Sequence, residues 1–426
     1  MQALTALLTA FLLVVGVTLL VTGLIRLAMV PAAFVFEARG RRTGPGPAGC
    51  GPVCARPPTV SVVVPAYNEG VLIEGCVRSI VRSDHPFLEV VLVDDGSTDD
   101  TFARMRALAR EHPQVRAITQ ENGGKGAALN TGIAAAQGDV LVLVDADGLF
   151  RPDTLTLLLR GFRDENVGAV CGNDRPVNLD RVQTRLLSLI SHVGTGLMRR
   201  ALDVLGCLPV VSGNVGAYRR DVLHETGPVR TDTLGEDLEL TWRVHRAGYG
   251  VTFAPHALVF AESPSTVRGL WRQRVRWGRG LLQATGLHRS MIGNPRYGAF
   301  GIYLLYGTLA QVVGPFLQVL GFVALAALLV VDGPSWLPPT VWGWLLLLGL
   351  PLSVGLLVLA VLLDRAPGDL RHLWTVVLWP AYSTLMTFVV LDAARLELQN
   401  AENRWNKLDR SGTVSVPGLV EDERGP

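Results

Sequence analysis

Asp145-Ala146-Asp147 follows an apolar β-branched run at 140–144, so two carboxylates project from one strand end with only a small residue between them. Two hard oxygen donors that close together suit Mg2+ or Mn2+, which keep open positions for water and phosphate oxygens. An Asp-x-Asp triplet is also common in solvated turns, so its meaning depends on its neighbours. Glu236 and Asp237 stand where an irregular segment becomes a helix. Such carboxylates either cap a helix start or act as the general base that takes a proton from an attacking hydroxyl. Upstream, Asn122-Gly123-Gly124-Lys125-Gly126 precedes an alanine-rich helix over 127–136. Its glycines let backbone approach a ligand, the helix start offers N–H groups, and Lys125 supplies a charge suited to a diphosphate. It is not a P-loop, because the glycine spacing differs and Gly follows the lysine. Gln273-Arg274-Val275-Arg276-Trp277 lies in a stretch dense in Arg and Trp, which reads as an interfacial amphipathic helix, a substrate-binding element, or both.

These residues need a scaffold, and the intervening pattern supplies one. Runs at 60–64, 90–93 and 140–144 are nearly all apolar and β-branched, as in parallel strands buried on both faces. Residues 69–82 have helical spacing, and Ser97-Thr98-Asp99 resembles a helix start. Strand, helix, strand, helix, strand is the order of a doubly wound α/β sheet, whose ligands bind beyond the carboxyl ends of the strands. Tyr67, Asp94, Asp95, Asp145 and Asp147 all fall at such ends.

The chain of 426 residues carries 39 basic and 37 acidic side chains, a formal charge of +2. Bulk electrostatics therefore gives no case for a nucleic-acid partner. Mean hydropathy is +0.33, and the apolar content gathers at the two ends. Residues 4–29 are long enough to cross a bilayer and lack the basic leader and short core of a signal peptide. Further apolar runs at 300–331, 341–363 and 373–391 follow the charged middle, the last interrupted by Pro380. The pattern predicts a transmembrane helix over 1–30, a Gly/Pro-rich linker over 31–58, a domain with interfacial helices over 59–295, about three transmembrane helices over 296–392, and a polar tail over 393–426.

Arg39, Arg41, Arg42, Arg56, Arg365 and Arg371 put the middle domain in the cytoplasm of a multi-pass cell-membrane protein. Four simple passes would leave the tail outside despite Arg395, Arg404, Lys407 and Arg410, a conflict within the sequence itself. Cys50 and Cys54 lack the second ligand pair a zinc site needs. Free thiols are expected, with Cys76, Cys171 and Cys207 as small apolar residues.

The chain resembles the processive family 2 glycosyltransferases, the group of cellulose, hyaluronan, chitin and poly-N-acetylglucosamine synthases. The resemblance runs over about 60–289 through Pro65-Ala66-Tyr67-Asn68-Glu69, Asp94-Asp95-Gly96-Ser97, Lys125 with Asn130, Asp145-Ala146-Asp147, Glu236-Asp237, and Gln273, Arg276 and Trp277. It implies a GT-A-type, Rossmann-like nucleotide-sugar transferase domain inserted between transmembrane helices. Tyr67, Glu69 and Asp94 or Asp95 would hold uridine, Lys125 with Asn130 would serve the donor near its diphosphate, and Asp147 with Asp145 would bind the Mg2+– or Mn2+–nucleotide complex. Asp237, beside Glu236, would be the catalytic base. Gln273, Arg276 and Trp277 would line the donor and acceptor sites, and Ser212-Gly213-Asn214 resembles the start of an acceptor-binding loop.

Two positions depart from the pattern: Gly235 stands where cellulose synthases have Thr, and Asn214 where a small residue is common. The Gly-Glu-Asp form and the tail 403–407 resemble chitin-type and poly-N-acetylglucosamine synthases. The resemblance thus implies a UDP-sugar donor, N-acetylglucosamine by preference, a polysaccharide acceptor, a lipid-bilayer setting, and room for a small membrane accessory subunit. Two other readings are a non-processive transferase to a lipid or polyprenyl phosphate, and an inactive scaffold or channel subunit. Gln273, Arg276 and Trp277 resemble the element that marks the polymerising members and so weigh against the first, and the joint presence of Asp95, Asp147 and Asp237 weighs against the second.

Overall fold

The structure is a computed structural model that describes residues 2–43, 57–333 and 339–403. The strands are β1 (Val60–Ala66), β2 (Leu88–Asp94), β3 (Val115–Thr119), β4 (Val140–Leu143), β5 (Leu149–Phe150), β6 (Val167–Pro176), β7 (Gly216–Arg219) and β8 (Gly250–Ala261). They form one sheet in the order β3-β2-β1-β4-β7-β6-β8-β5. The first four run parallel, as expected from their apolar runs, and every residue of β1 is buried. Beyond β4 the sheet turns mixed, because β7 pairs antiparallel with both β4 and β6. The edge strand β3 escapes an apolar-run reading, since Arg116 faces outward and only Val115 is fully buried.

Helix α1 (Gln2–Thr43) precedes the domain, whose helices are α2 (Ile73–Val81), α3 (Thr101–Glu111), α4 (Lys125–Ala135), α5 (Thr154–Leu159), α6 (Val182–Ser191), α7 (Met198–Val204), α8 (Arg220–Thr226), α9 (Glu236–Arg246) and α10 (Val267–Leu287). After them come α11 (Gly298–Thr308), α12 (Gly314–Asp332), α13 (Pro339–Leu363) and α14 (Trp379–Leu398), with a 3-10 stretch, Pro367–Leu378, before the last. Pleating sends Val62 and Val64 to one face, where they pack with Ile73, Val77, Ile80 and Met105 of α2 and α3, and Val63 to the other. The second face joins Val63, Val91 and Val93 to Leu129, Trp242 and Val244, and on to Phe300 and Leu304 of α11. The first apolar helix after the domain is therefore rooted in the core of the sheet.

Boundaries move for local reasons. Asp99 Oδ1 accepts from Thr101 N at 3.0 Å, so α3 starts at Thr101, after the Ser97-Thr98-Asp99 turn. Asn68 takes a positive φ of 55°, and its side-chain oxygen accepts from Thr98 N at 2.7 Å and Asp99 N at 3.3 Å. Helix α1 continues through the residues read as the beginning of a linker, because Glu37 pairs with the fully buried Arg200 at 2.7 Å. Arg200 also meets Asp364, just past α13, at 2.6 Å, and Asp364 contacts His192 of the π-helical turn His192–Leu197 at 2.8 Å. Two membrane-directed helices thus end on one buried arginine, and removing one partner of such a network typically costs about 3–5 kcal/mol.

By length and composition, Ala3–Gly40, Pro295–Val331 and Pro367–Leu398 could each cross a membrane. Cys76, Cys171 and Cys207 are free and buried. Cys50, Cys54 and tail residues 404–407 lie outside the described residues.

Candidate active site

The register of the parallel strands gathers the acidic residues. Ala66 on β1 lies opposite Asp94 on β2, and Val63 opposite Leu143 on β4. Tyr67, Asp94-Asp95 and Asp145-Ala146-Asp147 consequently emerge side by side at the carboxyl edge. Tyr67 is 38% exposed there, whereas Asp94, Asp95 and Asp147 are buried. Glu69 lies in the following turn, its carbonyl accepting from Leu72 N at 2.9 Å and Ile73 N at 3.0 Å.

Two centres form along this edge. At the first, Asp95 accepts from Gly123 N at 2.9 Å, Gly124 N at 2.8 Å and Gln120 Nε2 at 2.8 Å, and Asp94 accepts from Thr119 Oγ1 at 2.8 Å. Two amides of the glycine-rich turn, expected to meet a phosphate, are therefore bound to Asp95 instead. Gly124 holds φ at +82°, a conformation that favours glycine. Gln120 was not singled out from the sequence, although its nearness to the glycine turn was available as a signal.

At the second centre Lys125, the first residue of α4, reaches back into a carboxylate cluster. Its Nζ lies 2.6 Å from Asp145 Oδ1 and 2.7 Å from Glu236 Oε1. Gly213 N donates to Asp237 Oδ2 at 3.2 Å, and Asp145 N donates to Gly213 O at 3.1 Å. A Cβ at Gly213 would stand 2.9 Å from Lys125 Nζ, 3.6 Å from Asp237 Oδ2 and 3.7 Å from Asp145 Oδ2. Glycine at 213 thus leaves room for the Lys125 ammonium, which a side chain there would push aside.

Burial and the charge of Glu236 raise the Asp237 carboxyl to about 6, against the opposing pull of Lys125, the Leu238 N–H and Arg276. Burial alone would lower the Lys125 ammonium, but Asp145, Glu236 and Asp237 outweigh it and hold it above its ordinary value. Thr241 Oγ1 donates to Asp237 O at 2.7 Å and accepts from Val211 N at 2.9 Å, fixing the first turn of α9 against the 211–213 loop. Thr241 carries no chemical signature that a sequence reading could single out.

The remaining candidates separate. Asn130 Nδ2 donates to Val229 O and its Oδ1 accepts from Val229 N, both at 2.8 Å, so its amide pins the loop leading to α9. Asn214 N contacts Ser212 Oγ at 3.4 Å beside Gly213. On α10, Arg276 acts electrostatically on Asp237, Gln273 is half-buried, and Trp277 is 47% exposed with the Arg274 guanidinium 4.2 Å above its ring. Burial pushes the Cys171 thiol up, so it is no thiolate nucleophile.

Asp145 and Asp147 are hard oxygen donors, a set that fits Mg2+ or Mn2+ better than a soft ion. Among the described residues no group of three His, Cys, Asp or Glu side chains comes together as a metal site. A cation here would complete its shell with diphosphate oxygens and water.

Residues 57–280 match the family described as glycosyltransferase like family 2. The chain is 28% identical over 247 residues to a poly-beta-1,6-N-acetyl-D-glucosamine synthase of Staphylococcus aureus, covering 58% of this chain and 60% of that protein. The same enzyme of Staphylococcus epidermidis matches at 28% over 222 residues, 52% of this chain and 54% of that one. The matched region thus spans 60% or less of these curated relatives. Among solved structures, the chain resembles a mannosyltransferase from Pyrobaculum calidifontis in complex with GDP-Man and Mn2+, with a TM-score of 0.64 and 25% identity over 93% of this chain and 100% of that one. With its matched region spanning the whole carboxylate edge, the chain belongs to glycosyltransferase family 2 and is a glycosyltransferase.

Proposed function

We propose that the chain is a membrane-bound inverting transferase that moves N-acetylglucosamine from a UDP-sugar to a growing polysaccharide, with its catalytic domain in the cytoplasm. The observation that carries the reading is the cluster of Lys125, Asp145, Glu236 and Asp237 around Gly213, in which Asp237 is raised to about 6. A base with that value is ionised near neutral pH yet still takes a proton readily. The acceptor hydroxyl oxygen forms a bond to the anomeric carbon, the bond from that carbon to the diphosphate breaks from the opposite face, and the hydroxyl proton goes to Asp237.

Asp145 and Asp147 would hold a divalent cation, and its chemistry would be to neutralise charge on the departing diphosphate. Lys125 already offsets part of the Asp145 charge, so Asp147 is the stronger ligand of the two. Arg276 adds positive charge near the base, and Tyr67, Glu69, Asp94 and Asp95 are the residues we assign to the nucleoside end. Gly213 and Asn214, with Gln273 and Trp277, are assigned to the acceptor side.

The sugar and polymer are supported by the synthases of the two staphylococci. A second reading, transfer of mannose from a GDP-linked donor, draws support from the Pyrobaculum mannosyltransferase in complex with GDP-Man, whose match runs over nearly all of this chain. Labelled UDP- and GDP-sugars offered to purified protein in nanodiscs, with products sized, distinguish the two. Long products from UDP-N-acetylglucosamine alone are expected, and transfer from GDP-mannose instead would replace our reading with the second.

A further inference from the structure

The loop that delivers the catalytic helix is held from outside the domain's own sheet. Leu234 N donates to Gln283 Oε1 at 2.8 Å, and Thr233 Oγ1 donates to the same oxygen at 3.1 Å. The other end of that amide donates to Glu397 Oε1 and to Asn403 Oδ1, both at 3.0 Å. Asn403 Nδ2 in turn donates to Asp232 O at 2.8 Å. Arg279, one helical turn before Gln283 and only 6% exposed, ion-pairs with Glu397 and donates to Ala401 O at 2.6 Å, Asn403 Oδ1 at 3.0 Å and Glu402 O at 3.1 Å.

These contacts form one closed network. They run from the end of α14 through α10 to residues 232–234, immediately before Gly235 and Glu236. The helices can come this near because Gly235 and Gly280 face each other. A Cβ on Gly280 would lie 2.8 Å from both Cα and N of Gly235, backbone that cannot yield as a flexible side chain would. The Gly at 235 that departs from the cellulose-synthase pattern therefore has a partner on α10.

We propose that Gln283 and Asn403 are positioning residues for sugar transfer, through which the end of the last helix fixes the 232–235 backbone and hence the stance of Glu236 and Asp237 at Gly213. The inference rests on the reading of Asp237 as the base. Gln283 suits the task because one planar amide offers an acceptor to the loop and donors to Glu397 and Asn403. Tyr67, Asp94 and Asp95, at the β1 and β2 ends, lie outside this network, so disturbing it acts on the chemical step more than on the hold of the nucleoside. Small misplacements of a catalytic group lower rate steeply.

The test uses the full chain in nanodiscs, with kcat, donor KM and nucleotide affinity measured together. Gln283→Leu and Asn403→Ala are each expected to lower kcat about tenfold at unchanged donor KM and nucleotide affinity. Asn403 is exposed, so its variant does not depend on refilling a core. Gln283→Glu sets a carboxylate against Glu397 and should lose a similar factor. Adding Glu397→Gln restores one acceptor and one donor across the contact, and kcat should recover to within about threefold of wild type, a coupling expected only of groups in one network. A wild-type kcat in Gln283→Leu or Asn403→Ala, a loss carried by donor KM, or a swapped pair no better than Gln283→Glu overturns the proposal. Asp237→Asn run alongside keeps the two readings apart: full activity there removes the base assignment by itself, whatever the Gln283 variants do.

Discussion

Asp237 and Lys125 are bound to one another electrostatically, and their effects can be separated by pH. The Asp237 carboxyl, ordinarily near 3.8, stands at about 6, so the ionised base is lost as pH falls through that value. We expect kcat/KM to be level above about pH 6 and to fall about tenfold per unit below it. Lys125→Met removes a charge that holds Asp237 down, so the acid limb should move to higher pH, and an unmoved limb would exclude Asp237 as its source. The same shift has a stability consequence of opposite sense. The folded chain holds this proton more tightly than the unfolded chain, so the stabilisation is present below about pH 4 and is lost as pH rises through about 6. Asp237→Asn should retain nucleotide affinity and lose about a hundredfold or more in kcat, whereas a proportional loss of both would make Asp237 a binding residue. Asp147→Asn should abolish the response of turnover to added Mg2+ or Mn2+ while the protein still inserts and folds, because the carboxylate sits at a strand end outside the apolar core. Wild-type rates at every cation concentration would refute the metal assignment.

Helix α10 is where the readings of an element compete. Its Val275 packs with Val389 and Ala393 of α14, and Trp271 Nε1 donates to Asp392 at 3.0 Å, so one face is occupied by the last helix. Trp277 projects from another face, exposed and capped by Arg274. If it only anchors the domain at a membrane surface, Phe serves equally well. As a sugar platform its indole N–H offers a directional bond that Phe lacks. We expect Trp277→Phe to shorten the polymer at unchanged nucleotide affinity, and full-length product at a normal rate would return Trp277 to the anchor role. The strand ends that carry Asp94, Asp95, Asp145 and Asp147 were legible because each follows an apolar run, a local signal. The amides of Gly123 and Gly124 could not be assigned that way, since their acceptor Asp95 lies 28 and 29 residues distant. Asn130 is similar, with its partner Val229 lying 99 residues away. Local pattern announces which groups stand at the edge, while pairing across the sheet decides what each one holds.

At the scale of the whole molecule, the ends of the apolar helices decide how the chain is threaded. Glu37 in α1 and Asp364 beyond α13 both meet Arg200 of the domain, and α11 begins in the domain's core through Phe300 and Leu304. These anchors support a path, which we propose, in which α11 and α12 lead away from the domain and α13 returns. The stretch Pro367–Leu398 also begins at the domain, where Asp369 contacts His192 at 2.9 Å, and ends there, where Glu397 pairs with Arg279. A segment with both ends on one side crosses an even number of times. Two full crossings need about 40 residues, and this stretch has 32. The stretch is apolar enough to span and it packs along α6 and α10, and we propose that these ties hold it on the domain's side in place of a fourth pass. On this proposal Arg395 lies on the same side as the domain, the side that its positive charge favours. The prediction is a labelling pattern. With Cys50 and Cys54 replaced by Ser, and Cys76, Cys171 and Cys207 buried, a cysteine placed at exposed Gln399 should react with an impermeant maleimide in the same vesicle orientation as one placed at exposed Val71 in the catalytic domain. Reaction of Gln399→Cys from the opposite side would mean that the last apolar stretch crosses the bilayer and that its contacts with Arg279 and Gln283 do not form in the membrane.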